Sequence, residues 1–402
     1  MTRQLFEGIK VLELGTMVGV PYSGKIFADY GADVLKVEPL EGDPSRSEGP
    51  FLKDIPNKET SALFLHLNTN KRSITCDLST ASGKDIVRSL IDSYDIVIEN
   101  FNPGTLESLG LGYEAVTSDR TDLVMGSLTS FGQTGPWKDF KGSELVLQAM
   151  AGPMHMNGDP TKEPIKLGGN LAHYHAGLSL TYACILARLR VERGGSGDHI
   201  DQSVYEAQAG FRDRRAPGLT SASYTGRSNK RGGSLGRTAS GPRPAQDGYA
   251  NIMAGTSKHV SAFLRLIGRE DLAEHPDAKK PATQMSTTFI EEMEASYAIW
   301  LIERTKREAV AATQSIGILG GAILTVEDLL NDPHYQERNV WEEVDHPETG
   351  SIRYPGRHFV TSGATRKQMK RAPLLGEHTF SVLTDMGYTN SDIVQLRRAK
   401  VV

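Results

Sequence analysis

The chain has 402 residues, 38% of them hydrophobic and 23% charged, with a formal net charge of −4. This length exceeds what one core serves, so two domains are expected, and the charge balance supplies no global field for nucleic acid or acidic lipid. Cys76 and Cys184 are the only cysteines, which excludes a disulfide framework and a cysteine-rich metal site and fits a reducing cytoplasm.

The opening "MTRQLFEGIKVLEL" runs into a strand without a long apolar segment, so no signal peptide is expected. No stretch approaches the roughly 18 apolar residues of a membrane span. Apolar runs at Ile9–Leu14, Ala32–Glu38, Asp95–Phe101 and Asp122–Leu128 read as buried strands. Helical patterns around Tyr22–Tyr30 and Ser82–Ser93 lie between them, which predicts crossover units and a largely parallel, Rossmann-like sheet. From Leu178, the residues Tyr182, Ile185, Leu186 and Leu189 recur at helical spacing, and Gly194 with Gly195 ends that helix.

Residues from about Arg212 to Arg243 are rich in Arg, Gly, Ser and Pro and read as a linker or long loop. Arg227, Lys230, Arg231 and Arg237 leave a phosphate-facing role open for it, since glycine lets backbone amides approach an anion. A strand resumes at Gly248–Gly255, and amphipathic helices through Phe289–Ile302 and Glu308–Thr313 announce a second α/β domain. Near the end, Thr389 or Ser391 can cap a last helix.

The first turn, "ELGTMVGVPYSGK", places Gly15, Gly19 and Gly24 at the wrong spacing for a dinucleotide fingerprint, although Glu38 stands at a suitable distance for a ribose. A nicotinamide dehydrogenase is therefore disfavoured. Walker A, H-E-x-x-H and G-x-S-x-G sequences are all missing. In "GGNLAHYHAG", His173 and His175 stand roughly 200° apart on a helix and cannot chelate one metal from a single face. His175 shares a stripe with Leu178 and Tyr182 and reads as a hydrogen-bonded core histidine. His173 sits at a probable helix start, where the dipole favours a neutral, basic imidazole, so packing and proton transfer both remain open.

Eight phrases, in order, are "GIKVLELG", "YGADVLKVEP", "NTNKRSITCDL", "DIVIENFNPGTLESLGLGYE", "SFGQTGP", "DQSVYEA", "DGYANIMAG" and "APLLGEHT". Together they cover nearly the whole chain and resemble the class III CoA-transferases, the family of formyl-CoA transferase, carnitine CoA-transferase and the 2-methylacyl-CoA racemases. The resemblance implies an α/β fold with a Rossmann-like large domain built from both chain ends, a smaller inserted α/β domain and an interlocked, ring-like dimer. On that basis the large domain takes residues 1–211, a linker 212–245, the small domain 246–335, and residues 336–402 return to the large domain.

The resemblance also implies CoA contacts at Lys71, Arg72, Asn100, Phe101 and Lys141, with acyl-CoA as substrate and no metal. The transferases act through an aspartate that attacks the donor thioester and forms a mixed anhydride. Counting back from "ILARL", His173 occupies that aspartate's place. Arginines of the relatives are replaced by Pro39, Asn102 and Ser108. Where the racemases keep a first base, this chain has Ser143, while the neighbouring Glu144 keeps a carboxylate as a possible proton carrier. The resemblance thus points to a subunit without its nucleophile, paired with an Asp-bearing homologous chain as in the benzylsuccinate CoA-transferases. An acyl-CoA racemase or isomerase with His173 as general base, and a non-catalytic scaffold, are the alternatives. Nucleic acid and membrane are not expected partners.

Overall fold

The computed structural model describes residues 4–210, 215–227, 231, 239–256, 258–365 and 367–402. It divides into two compact units, one of Met1–Asn157, Ile165–Asn229 and Asn339–Val402, the other of Gly158–Pro164 and Lys230–Arg338.

The larger unit is organised by six parallel strands, β1 (Lys10–Leu14), β2 (Asp33–Glu38), β3 (Arg72–Thr75), β4 (Ile96–Glu99), β5 (Val124–Thr129) and β6 (Asp198–Ser203). Their order is β3-β2-β1-β4-β5-β6, with Leu12 beside Leu35 on one flank and Val97 on the other. Val, Ile and Leu run almost continuously through β1, β2 and β4 because helices cover both faces of a parallel sheet. Leu12, Leu35, Ile74 and Val97 enter one core, which Val382, Leu383 and Ile393 from the chain's end complete. Val11, Val34, Ile96 and Val124 enter the other. The strand order reverses direction between β1 and β4, and that switch point opens a crevice at the carboxyl edge.

A long helix, Leu171–Glu192, covers the second face. Its buried side is not the expected bulky stripe: Leu178, Tyr182, Leu186 and Leu189 are 45, 42, 62 and 38% exposed, whereas Ala172, Ala176, Leu180 and Cys184 are fully buried. Close approach explains the inversion. A Cβ on Gly177 would lie 2.3 Å from the Gly19 carbonyl oxygen, and one on Gly126 of β5 would lie 2.8 Å from the Cys184 sulfur. Small residues occupy the points of closest approach and Leu180 packs beside them, while Leu178, Tyr182, Leu186 and Leu189 turn out. His175, read as part of that stripe, is half-buried on this helix.

The smaller unit has an antiparallel sheet in the order β7-β8-β9, of β7 (Ser240–Ala245), β8 (Gly248–Met253) and β9 (Gly320–Ile323). Its core joins Ile252 to Phe263, Phe289, Tyr297 and Leu301 of the adjoining helices. The stretch 212–245 read as a linker therefore holds regular structure, a helix at Arg215–Thr225 and the strand β7. Pro242 and Pro244 disguised the strand; among the described residues β7 pairs with β8 on one side, and an edge strand tolerates proline. Arg237 and Lys230, named for a phosphate-facing role, lie outside the described residues. The chain re-enters the larger unit at Asn339, ahead of a hairpin of β10 (Trp341–His346) and β11 (Gly350–Pro355).

Candidate active site

Two loops meet at the switch point. After β1, the turn Thr16–Gly19 leads into the helix Gly19–Asp29, and Met17 adopts φ +67°, a left-handed conformation that costs a residue with a Cβ. The turn is fastened from two sides. Asn100, just past β4, accepts from the Thr16 N–H at 2.9 Å and donates to its carbonyl at 3.0 Å, while the Asp43 carboxylate accepts from the Met17 N–H at 3.0 Å.

Behind the turn lies a buried ionic lattice. Lys36 reaches Glu13 at 2.9 Å, Asp43 at 2.7 Å and the Gly15 carbonyl at 2.7 Å, with every side chain of these ion pairs out of contact with solvent. Burial by itself lowers the Lys36 ammonium, but Asp43, Glu13 and Glu38 outweigh it and raise it above its ordinary range. The lattice meets the turn through the Gly15 carbonyl.

The second half of the site comes from helix termini. Ser143 caps the helix Glu144–Met150, accepting from the Val146 N–H at 3.4 Å, so its hydroxyl has a capping role. Asn170, at the start of the long helix, makes no side-chain cap bond. Glu144 supplies it instead, accepting from the Ala172 N–H at 2.7 Å and the His173 N–H at 3.4 Å. The same carboxylate meets His173 Nδ1 at 2.7 Å and Gln148 Nε2 at 2.6 Å. Burial pushes this acid up, yet the bonds from His173, Ala172 and Gln148 prevail and bring it to about 2. Gln148, fully buried and one turn from Glu144, also clasps Leu167 and escaped the sequence reading; its i, i+4 spacing was the available signal.

His173 thus keeps Nδ1 on a carboxylate, with 29% of its side chain exposed. It lines a cavity of about 200 Å³ together with Thr16–Gly19, Asn100–Pro103, Leu128–Ser130, Lys138, Phe140 and Val204. A second cavity, of about 310 Å³, adjoins the carboxyl ends of β1, β2 and β3 and shares Thr16 and Phe101 with the first. Among the described residues no group of three or more His, Cys, Asp or Glu is placed to hold a metal ion, and no helix is long and apolar enough to cross a membrane.

Residues 6–379 match the family described as CoA-transferase family III. The chain belongs to that family. The succinate–glutarate CoA-transferase of Agrobacterium fabrum is 30% identical over 94% of this chain and 95% of its own. A succinyl-CoA:(R)-benzylsuccinate CoA-transferase subunit, BbsE, of Thauera aromatica is 29% identical over 99% of this chain and 98% of its own. A CAIB/BAIF family protein from Brucella suis has a similar solved structure, with TM-score 0.81, 31% identity and coverage of 96% of this chain and 100% of that one.

As a family III CoA-transferase the chain acts on CoA thioesters, and the residues expected to touch CoA can be placed. Asn100 and Phe101 stand at the crevice, Phe101 on the wall between the cavities. Lys71 does not. It is 4% exposed, with Nζ bonded to Glu13 at 2.8 Å, Asn68 at 2.9 Å and the Pro21 carbonyl at 2.7 Å; burial, with Lys36 and Lys25 adding to it against Glu13, lowers its ammonium to about 8. Arg72 opens β3 at the amino edge of the sheet and forks onto Asp33 at 3.0 and 2.7 Å, away from the edge where ligands bind. Lys141 is exposed and outside the cavity lining, which Lys138 of the same loop joins.

Proposed function

We propose that this chain is the nucleophile-free subunit of a heteromeric class III CoA-transferase, which moves CoA from a donor such as succinyl-CoA to a carboxylic acid. One observation carries the reading: none of the 15 residues lining the His173 cavity is an aspartate or glutamate. In the exchange an aspartate oxygen attacks the thioester carbonyl, the C–S bond breaks, CoA thiolate leaves, and a mixed anhydride remains. Thiolate then attacks the aspartyl carbonyl, releases the donor acid and leaves CoA on the enzyme for the acceptor carboxylate. An imidazole cannot form that anhydride. The aspartate comes from a homologous partner chain.

The relative named as a subunit supports this arrangement. The outward apolar face of the long helix supports an interlocked pairing of two such chains, since a face of that kind marks a surface that another protein covers. Asn100, Phe101 and Lys138 are the proposed contacts to the thioester. Cys76 and Cys184, both free and buried, fit the cytoplasm. The purified chain alone is expected to show no CoA transfer from succinyl-CoA to any acid, and to gain it when an Asp-bearing homologous chain is added. Sustained turnover by the chain alone would overturn the reading.

The Glu144–His173 bond favours a second reading, in which His173 Nε2 removes the acidic proton next to a thioester carbonyl. Solvent deuterium then enters the α-carbon of an acyl-CoA with the native chain and not with His173→Ala. Equal exchange in both excludes His173.

A further inference from the structure

We propose that the larger cavity receives the adenosine of CoA without reading its 3′-phosphate, so that this chain takes 3′-dephospho-CoA derivatives at least as well as CoA. The inference rests on the proposed function, which lays a CoA thioester across the two cavities with its reacting end at His173.

The wall of the larger cavity is apolar, with Leu40, Leu78 and Phe101 offering surfaces for a flat adenine. Its charged lining is acidic throughout: Glu38, Glu41 and Asp77, with no Lys, Arg or His. Glu38 is spent internally. Its carboxylate accepts from Arg46 Nε at 2.7 Å, Arg46 Nη2 at 2.8 Å, the Ser73 hydroxyl at 2.5 Å and the Asp43 N–H at 2.9 Å. Glu41 and Asp77 remain. Hydrogen bonds from Ser79 hold the Asp77 carboxyl below its ordinary range, so it is charged at neutral pH.

Arg46 and Lys58 bond to residues of this wall without lining the cavity. Arg46 is enclosed between Glu38 and Glu59, and Lys58 donates to the Glu41 carbonyl at 2.7 Å. Pro39, in the lining and exposed, adds no charge there. Phosphate recognition relies on charge-assisted bonds from cations. A phosphate of charge about −1.5 to −2 meets no cation among the residues lining this cavity and faces two carboxylates. Removing it removes a repulsion rather than a contact.

Calorimetric titration of the purified full chain with CoA and with 3′-dephospho-CoA, at low ionic strength, tests the inference. The expected Kd for dephospho-CoA is equal to or below that for CoA. Asp77→Asn and Glu41→Gln are each expected to shift the ratio of the two constants toward CoA by about two- to fivefold, less at high salt. CoA binding more than threefold tighter than dephospho-CoA overturns the inference and leaves the proposed function standing. A ratio that neither substitution moves also overturns it. Failure of both nucleotides to bind rejects the CoA reading itself and this inference with it.

Discussion

Carboxylates along one edge of the large sheet meet two opposite surroundings. Beside β1–β3, Glu38 and Asp43 are 1% exposed, and burial pushes both up, yet Arg46 and Lys36 outweigh it and hold both acids below their ordinary range. Beside β4, Glu99 is 2% exposed, but its partners are the Ser127 hydroxyl and the Phe101 N–H, with Glu107 and Asp201 adding negative charge; burial lifts it to about 7. Desolvation is alike on the two sides. Countercharge sets the sign, and it makes one flank of the crevice an ionic lattice and the other an acid that titrates near neutrality.

Lys36→Met breaks the first flank and has the largest expected effect. It leaves Asp43 without its cation, removes one of two cations from Glu13 and frees the Gly15 carbonyl under the turn. Removing one partner of a buried pair costs about 3–5 kcal/mol because the remaining charge is uncompensated. Urea unfolding measures it; a loss under about 1 kcal/mol would mean that the lattice does not hold this flank.

Glu99 tests the second flank through pH. The folded acid titrates near 7 and the unfolded one near its ordinary 4.5, so the folded state binds the extra proton between these values. Stability from this group is full below about 4.5, falls as pH rises through 7, and then levels. The fall is on the order of 3 kcal/mol at most. Glu99→Gln should flatten it. An unchanged slope in that variant would place the titration elsewhere.

Four of the six parallel strands, β1, β2, β4 and β5, were legible because a strand buried on both faces needs a continuous apolar run, whereas the short β3 and the polar β6 carry none. The order of the strands was not, because pairing is decided between segments such as Leu12 and Val97, far apart in the chain. At the site, His173 was read as a departure from the family pattern it resembles and Glu144 as a carboxylate that the pattern keeps, but their bond joins two helix starts and no local signal reports it. Lys71 and Arg72 show the converse. Adjacent cations look alike in a sequence, and only the fold shows Lys71 turned onto Glu13 and Arg72 onto Asp33. The long helix misled for a related reason, since apolar spacing finds a stripe while the depth of approach decides which stripe is inside.

Glu144→Gln gives the smallest effect and sharpens the comparison most, because Glu144 joins the first flank in sign without a lysine or arginine. Its lowered pKa comes from an imidazole, a helix amide and a glutamine, so its contribution is present above about 4.5 and lost as pH falls through about 2. Glutamine keeps the shape and loses the charge that caps the long helix. The expected cost at pH 7 is about 1–2 kcal/mol, and it should vanish in acid, where the native carboxyl is protonated as well. Thermal or urea unfolding across pH separates the two outcomes. A deficit that persists at low pH would mean that Glu144 acts through packing, and His173 would then have no charged support.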